Sequence, residues 1–430
     1  MSSSDKNKIG YWETVSIGIG GMVGGGIFAV LGLAVELAHG GTPVAFFIAG
    51  IVALITSYAY SKLSTHFPSQ GGTVFYLDKA FGVDLFTGSI NNLLWLSYII
   101  MLALYSYAFG SYGATFFHSS HQFLIKHLFI SLGILIPTVL NMLNAKVIGK
   151  AEQYIVAIKI ALLLFFVAVG FQGIDTHRIA VSNWSPTVQL VSGGMIIFLA
   201  YEGFELIANT ANDVKDMKKT LPRAFYSAVI FVIVLYILVS LVSVGSLPVD
   251  KIVQAKDYAL AAAAKPFLGS AGFTLIAIAA LLSTFSAINA TLYGAARLSY
   301  TIAREGELPK ILEDKVWNKP LEGLIITAIL ALFLANVGDL SSISMMGSAG
   351  FLIIFSGVNS ANIKLAKQTE SRKWISFIGV ILCLFALLAL IWQTIGNHPT
   401  HLWVLVGMLA ISFGIEFVYS LFKKRKFRFI

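Results

Sequence analysis

Lys159 is the one cation in the run Ala151–Phe171, which is otherwise long and apolar enough to cross a bilayer. A lysine at the centre of a membrane helix costs ~2.5–3.5 kcal/mol or more, and such residues mark ion or proton paths. Counted from Lys150, near one end of that run, Lys159 lies roughly nine residues or ~13 Å in, close to the middle of a ~30 Å hydrocarbon core. Snorkelling of the ammonium to an interface is the alternative. A second group is the glycine run Gly18-Ile19-Gly20-Gly21-Met22-Val23-Gly24-Gly25-Gly26-Ile27-Phe28 inside the first apolar span. Each Gly costs up to ~1 kcal/mol relative to Ala in a helix, so Gly24, Gly25 and Gly26 in succession predict a break. The amides of the following half-helix would suit a carboxylate, and the carbonyls before the break an ammonium. A free α-amino acid carries both groups. Close packing of helices is the competing use, because Gly20 with Gly24 and Gly21 with Gly25 also satisfy the small-xxx-small pattern.

The third group interrupts a later apolar run: Phe198-Leu199-Ala200-Tyr201-Glu202-Gly203-Phe204-Glu205. Glu202 and Glu205 are three apart, hence neighbours on one face if the helix continues. Either acid could carry a proton, pair with a cation or gate an exit; a structural hydrogen bond within the break is the bland reading for Glu205. Phe198, Tyr201 and Phe204 offer an aromatic lining, although aromatic residues in membrane helices commonly serve packing.

These residues need a membrane solvent to make sense, and the composition supplies one. The 430 residues are 57% hydrophobic and 12% charged, with a mean hydropathy of +0.81. An all-α polytopic membrane protein follows. Twelve spanning runs are expected: Trp12–Ala38, Pro43–Leu63, Leu85–Phe117, Phe123–Leu143, Ile148–Phe171, Val188–Ala208, Ala224–Val244, Phe273–Ile302, Leu321–Val337, Ile343–Leu365, Ile375–Ile395 and Leu402–Phe422. Between Pro248 and Gly269 the chain is too broken to span, and Ala259–Ala264 reads as a short helix lying over the protein. No cleavable signal is expected at the front.

About 24 of the 30 Lys and Arg residues fall on the side that carries both termini, and about 5 (Lys126, Arg178, Lys251, Lys256, Lys265) on the other. The positive-inside rule then makes both termini cytoplasmic. The tail Lys423-Lys424-Arg425-Lys426-Phe427-Arg428 fixes that topology, so the net charge of +9 reflects a cytoplasmic leaflet and no nucleic-acid partner. Cys383 is the only cysteine, which rules out an intrachain disulfide or a cysteine metal site. Histidines such as His118, His121, His127, His398 and His401 are scattered through loops without metal-ligand spacing. No Walker loop follows the glycine run, which argues against transport driven directly by ATP in this chain. An intramembrane enzyme would need a convergent catalytic set, and the spans hold neither a metal pair nor a nucleophile–His arrangement.

Paired interrupted helices, here the first and sixth spans, are the strongest sequence pointer to a mid-membrane transport site. With that, four stretches resemble the amino acid–polyamine–organocation transporters, and most closely their proton-coupled, broad-specificity prokaryotic permeases. They are Ile17–Phe28; Gly149-Lys150-Ala151-Glu152 through Lys159; Tyr201–Glu205 continuing through Asn212-Asp213-Val214-Lys215 to Leu221-Pro222-Arg223-Ala224; and Ala303-Arg304-Glu305-Gly306-Glu307-Leu308-Pro309. The resemblance covers nearly the whole chain.

It implies a LeuT-like fold with broken first and sixth helices. A cytoplasmic N-terminus over 1–11 would lead into a first repeat of five spans over 12–171, then an inverted repeat over 186–365, two further helices over 374–422 and a basic cytoplasmic tail over 423–430. It implies alternating access, with substrate held by Gly24, Gly25, Gly26, Phe198, Ala200, Tyr201, Glu202, Gly203 and Phe204. Lys159 would stand where sodium-coupled relatives bind a cation, held by carbonyls near the glycine break and by Ser283 and Thr284, with Glu205 in gating or coupling. The expected activity is sodium-independent, proton-coupled amino-acid uptake. The proton is the coupling ion, no cofactor is expected, and the partners are a free amino acid and membrane lipid. An exchanger or a sodium symporter remains the alternative. A prokaryotic inner membrane suits the lack of a disulfide framework, while oligomeric state and the preferred amino acid are left open.

Overall fold

In hydrocarbon each amide and carbonyl must be bonded within its own segment, so long apolar runs fold as helices. The computed structural model describes residues 8–117, 120–143, 145–309, 312, 321–397 and 399–422, with side chains for all of these except 143, 145–153 and 422. The tail Lys423–Arg428, His118, His398 and the side chains of Lys150 and Glu152 lie outside the described residues. The helices are α1 (Tyr11–Met22), α2 (Gly26–Ala38), α3 (Thr42–His66), α4 (Gly72–Phe81), α5 (Leu85–Ala114), α6 (Gln122–Leu143), α7 (Ala145–Gly170) and α8 (Thr187–Ile196). They continue with α9 (Leu206–Asn209), α10 (Met217–Ser246), α11 (Val249–Gln254), α12 (Ala259–Glu305), α13 (Leu321–Val337), α14 (Leu340–Lys364), α15 (Lys373–Asn397) and α16 (Pro399–Phe422).

Among the described residues nine helices are long and apolar enough to cross a membrane. Two bent pairs make further crossings: α1 with α2, bent by 46°, and α8 with Phe198–Asn209, bent by 41°. α13 is a shorter apolar helix of 17 residues, at the lower end of the ~17–25 that span. Counted with it, the crossings coincide in order with the twelve expected runs. Span 1 is α1 with α2, span 2 is α3, span 3 is α5, span 5 is α7 and span 6 runs from α8 through the 3-10 turn Phe198–Glu205 to α9. Span 7 is α10, span 8 the part of α12 after Gly269, and span 10 is α14.

Burial sorts these spans. The apolar stretch of α5 is 83% buried, against 28% in α6, α15 and α16, so α5 runs through the middle of the bundle and the other three form its lipid-facing edge. Two features depart from expectation. Ala259–Ala264 is helical and precedes a kink at Gly269, whose φ of 64° suits glycine; the segment does not lie over the protein, since Ala259, Leu260, Ala261, Ala263 and Ala264 are fully buried. Alanine side chains are small enough to let it sink between its neighbours. The second is α4, whose ten residues are too few for a hydropathy signal. It buries Thr73, Val74, Tyr76, Leu77 and Ala80, a helical stripe, against α5, α9 and α14.

Candidate functional site

Span 1 breaks where the glycines stand. α1 ends at Met22, Val23 and Gly25 cap the two half-helices, and α2 starts at Gly26. None of Gly18 to Gly26 has positive φ, so glycine is needed here for space. A Cβ on Gly24 would lie 2.8 Å from Ala287 Cβ, one on Gly25 2.3 Å from the Tyr105 ring, and one on Gly26 2.8 Å from Ala200 Cα. A Cβ on Gly203 of span 6 would lie 2.2 Å from the Gly21 carbonyl carbon and 2.3 Å from Met22 N. The break and the close-packing uses of these glycines therefore coexist, and the two interrupted spans touch backbone to backbone.

Freed backbone groups at both breaks find partners on neighbouring spans, as hydrocarbon demands. Tyr236 of α10 donates from its hydroxyl to Met22 O at 2.6 Å and Ala200 O at 3.4 Å, bridging the two breaks. Ser344 and Ser348 of α14 each donate to Ile196 O at 2.8 Å, and Ser348 Oγ accepts from Leu199 N at 3.2 Å. Ser283 of α12 donates to Val23 O at 2.8 Å and to Gly24 O. The amides of Gly25 and Gly26, by contrast, donate to no carbonyl among the described residues.

Lys159 is 1% exposed, so it does not snorkel. Its Nζ donates to Gly20 O at 3.0 Å, three residues before Val23. Spans 5 and 8 thus both grip carbonyls of span 1, Lys159 at Gly20 and Ser283 at Val23 and Gly24. Thr284 donates within its own helix, to Ala280 O at 2.7 Å and Leu281 O at 3.2 Å.

The two acids of span 6 have different surroundings. Glu205 accepts from three hydroxyls: Tyr98 at 2.8 Å to Oε1, and Tyr60 at 3.0 Å and Thr73 at 3.3 Å to Oε2. Those donors come from α5, α3 and α4, so the carboxyl joins four elements. Glu202 is 6% exposed and its Oε2 has no hydrogen-bond partner. The aromatic residues of this turn are engaged in packing: Phe204 meets Tyr60 and Phe225 edge-on and Phe355 at a tilt, Phe198 meets Phe355 edge-on, and Tyr201 packs at a tilt on Tyr236 while donating to Phe46 O at 2.9 Å.

Sequence reading missed Tyr236, Tyr60, Tyr98, Thr73, Ser344 and Ser348. A polar tip isolated in an apolar run was the available signal for the tyrosines, and Ser344 with Ser348, one helical turn apart, formed a polar stripe on span 10. The loop motifs also have work in the fold. Asp213 and Lys215 pair with Ile9 through main-chain bonds of 2.8 and 2.9 Å. Asn91 of α5 donates to Glu307 Oε2 at 2.7 Å.

Near the Ala38 end of span 1 lies a cavity of ≈ 50 Å³ bordered by Leu33, Glu36, Ile196, Lys256 and Met345, far below the ~300–1,000 Å³ of a small-molecule site. Lys256 pairs with Glu36 at 2.8 Å, and His401 lies 3.6 Å from Asp339. Burial alone would raise the Asp339 pKa, but the hydroxyl and amide of Ser342, the His401 charge and the Ser341 amide outweigh it and hold the carboxyl below its ordinary value. Among the described residues no three His, Cys, Asp or Glu side chains are placed to hold a metal ion.

Residues 9–413 match the amino acid permease family. The chain belongs to that family. This permease is 35% identical to an uncharacterized protein of Methanocaldococcus jannaschii, over 98% of this chain and 97% of the relative. It is 34% identical to the inner membrane transport protein YbaT of Escherichia coli, over 97% of each. The branched-chain amino acid permease BcaP of Bacillus subtilis is 24% identical, over 96% of this chain and 93% of its own. The permease is therefore an integral membrane transporter of the amino acid permease family, and not an enzyme.

Proposed function

We propose that this permease takes up free amino acids with a proton, independently of sodium, by alternating access, and that Lys159 carries the coupling proton. The carrying observation is the buried Lys159 ammonium on Gly20 O, beside the break that Ser283 grips from span 8. A cation at the junction of spans 1, 5 and 8 does with a covalently held charge what a bound sodium ion would do, and an ammonium, unlike sodium, can also give up a proton. The charged form stabilises the closed junction; losing the proton releases span 5 from span 1. Proton and substrate can drive the cycle only by each preferring particular conformations.

Substrate would bind between Gly24–Gly26 and Phe198–Phe204, its carboxylate on the free amides of Gly25 and Gly26. Those backbones are packed against Tyr105 and Ala200, so the site must open for loading. Broken spans standing first and sixth support reading 12–171 and 186–365 as inverted repeats, with 374–422 as two added spans. Glu205 would act in gating, since it ties α4 to the broken turn. The excess of basic residues on the terminal side supports cytoplasmic termini.

Uptake of a labelled amino-acid mixture into proteoliposomes under an inward proton gradient, with and without sodium, tests this reading. Gradient-driven accumulation without sodium, lost in Lys159→Ala, supports it. Accumulation that requires sodium, or that occurs only into vesicles preloaded with amino acid, contradicts it.

A further inference from the structure

In a 3-10 turn residues i and i+3 eclipse, which puts Glu202 and Glu205 on one face of Phe198–Glu205. The protein treats them differently. Glu205 is saturated by the hydroxyls of Tyr60, Thr73 and Tyr98. Glu202 is more than nine-tenths buried, its Oε2 has no hydrogen-bond partner, and no ion pair reaches it among the described residues. A buried carboxyl oxygen without a donor is costly, so Glu202 Oε2, in the middle of the broken turn, is a position kept for something that arrives.

Its surroundings indicate what arrives. Ala200, two residues before Glu202, packs on Gly26, and the Tyr105 ring covers Gly25. The amides of Gly25 and Gly26 donate to no carbonyl among the described residues. The unspent groups are thus an anion-accepting amide pair, an aromatic face and a carboxyl. A buried carboxyl with acceptor capacity to spare recognises a cation.

We infer that Glu202 receives the side-chain cation of the substrate, so that this permease selects amino acids carrying an ammonium or guanidinium group. The inference rests on the amino-acid uptake reading: the α-carboxylate meets the amides of Gly25 and Gly26, and the distal cation meets Glu202. A proton could also neutralise Glu202. Glu205 shows how this fold fixes a carboxyl with donors of its own, and Glu202 has been left open to the donors of a ligand.

The full-length permease in proteoliposomes under an inward proton gradient provides the test. Initial uptake of labelled lysine and labelled alanine is compared for the unsubstituted protein, Glu202→Gln and Glu202→Asp, with arginine, ornithine and leucine as competitors. We expect the unsubstituted protein to favour lysine over alanine by about tenfold or more, Glu202→Gln to reduce that preference about tenfold, and Glu202→Asp to keep part of it. An unchanged lysine-to-alanine preference in Glu202→Gln overturns the inference, and a changed number of protons per substrate alongside it would assign Glu202 to the proton. Should Glu202→Gln abolish all uptake, competition in the unsubstituted protein decides: displacement of label by arginine and ornithine but not leucine supports the inference, and the reverse overturns it. Uptake of neutral amino acids alone keeps the proposed function and defeats only this inference, whereas uptake of no amino acid defeats both.

Discussion

Gly203→Ala would place one methyl group between the two broken spans. Its Cβ would stand 2.2 Å from the Gly21 carbonyl carbon, 2.3 Å from Met22 N and 2.7 Å from Gly21 Cα, where ordinary contact begins at 3.4 Å. All three neighbours are backbone, so no side-chain rotation relieves the clash, and the spans must part by about 1.2 Å. Tyr236 bridges the same gap, and its bond to Ala200 O is already 3.4 Å long; parting the spans breaks it. Overpacking costs ~1–3 kcal/mol and a buried hydrogen bond about 1 kcal/mol, so a loss of ~2–4 kcal/mol is expected, with transport reduced. Gly414→Ala is the control, because nothing lies within 4 Å of its Cβ and Ala is the better helix former. Cys383, the single cysteine, is fully buried, so a thiol-reactive dye reports unfolding directly as purified protein is heated in detergent. If Gly203→Ala unfolds at the same temperature as Gly414→Ala and transports normally, the backbone contact between spans 1 and 6 is not what holds the site together.

Ser283→Ala removes the donor to Val23 O and Gly24 O and leaves buried carbonyls unpaired; a loss of ~1–3 kcal/mol is expected in the same thiol assay, and an unchanged midpoint would mean that span 8 does not grip the break. Asp339 has a folded pKa below its unfolded value of ~3.9, so its stabilisation is present at neutral pH and disappears as the pH falls through that folded value. The gap in unfolding temperature between the unsubstituted protein and Asp339→Asn should therefore be present above about pH 4 and narrow as the pH falls below it; a gap independent of pH would show that the charge plays no part.

Hydropathy made the spans legible to within about three residues at most ends, α10, which begins at Met217 and not Ala224, being the exception, because a bilayer punishes every unbonded backbone group. The breaks were legible for the same reason in reverse: Gly24–Gly26 and the acids around Gly203 are what a continuous buried helix would avoid. α4 escaped because ten amphipathic residues carry no membrane signal, although Thr73 on it reaches Glu205. The partners of the breaks escaped because their role depends on tertiary neighbours. Tyr236, Ser344 and Ser348 lie in unbroken helices, and only the fold brings them to Met22, Ala200 and Ile196. Phe198, Tyr201 and Phe204 were read as a lining from their place in the turn, and the fold engages all three in aromatic packing. Lys159 was legible from its isolation alone; its carbonyl partner was expected near the break, and Gly20 O receives it.

The central claim is that the Lys159 ammonium replaces a coupling cation. Proton flux measured together with labelled amino-acid uptake in sodium-free proteoliposomes, for the unsubstituted protein, Lys159→Ala and Lys159→Gln, tests it most directly. The account predicts that protons enter with substrate in the unsubstituted protein, and that both substitutions abolish gradient-driven accumulation while any residual exchange becomes insensitive to pH. Transport by either variant with the same proton stoichiometry and the same pH dependence would contradict it.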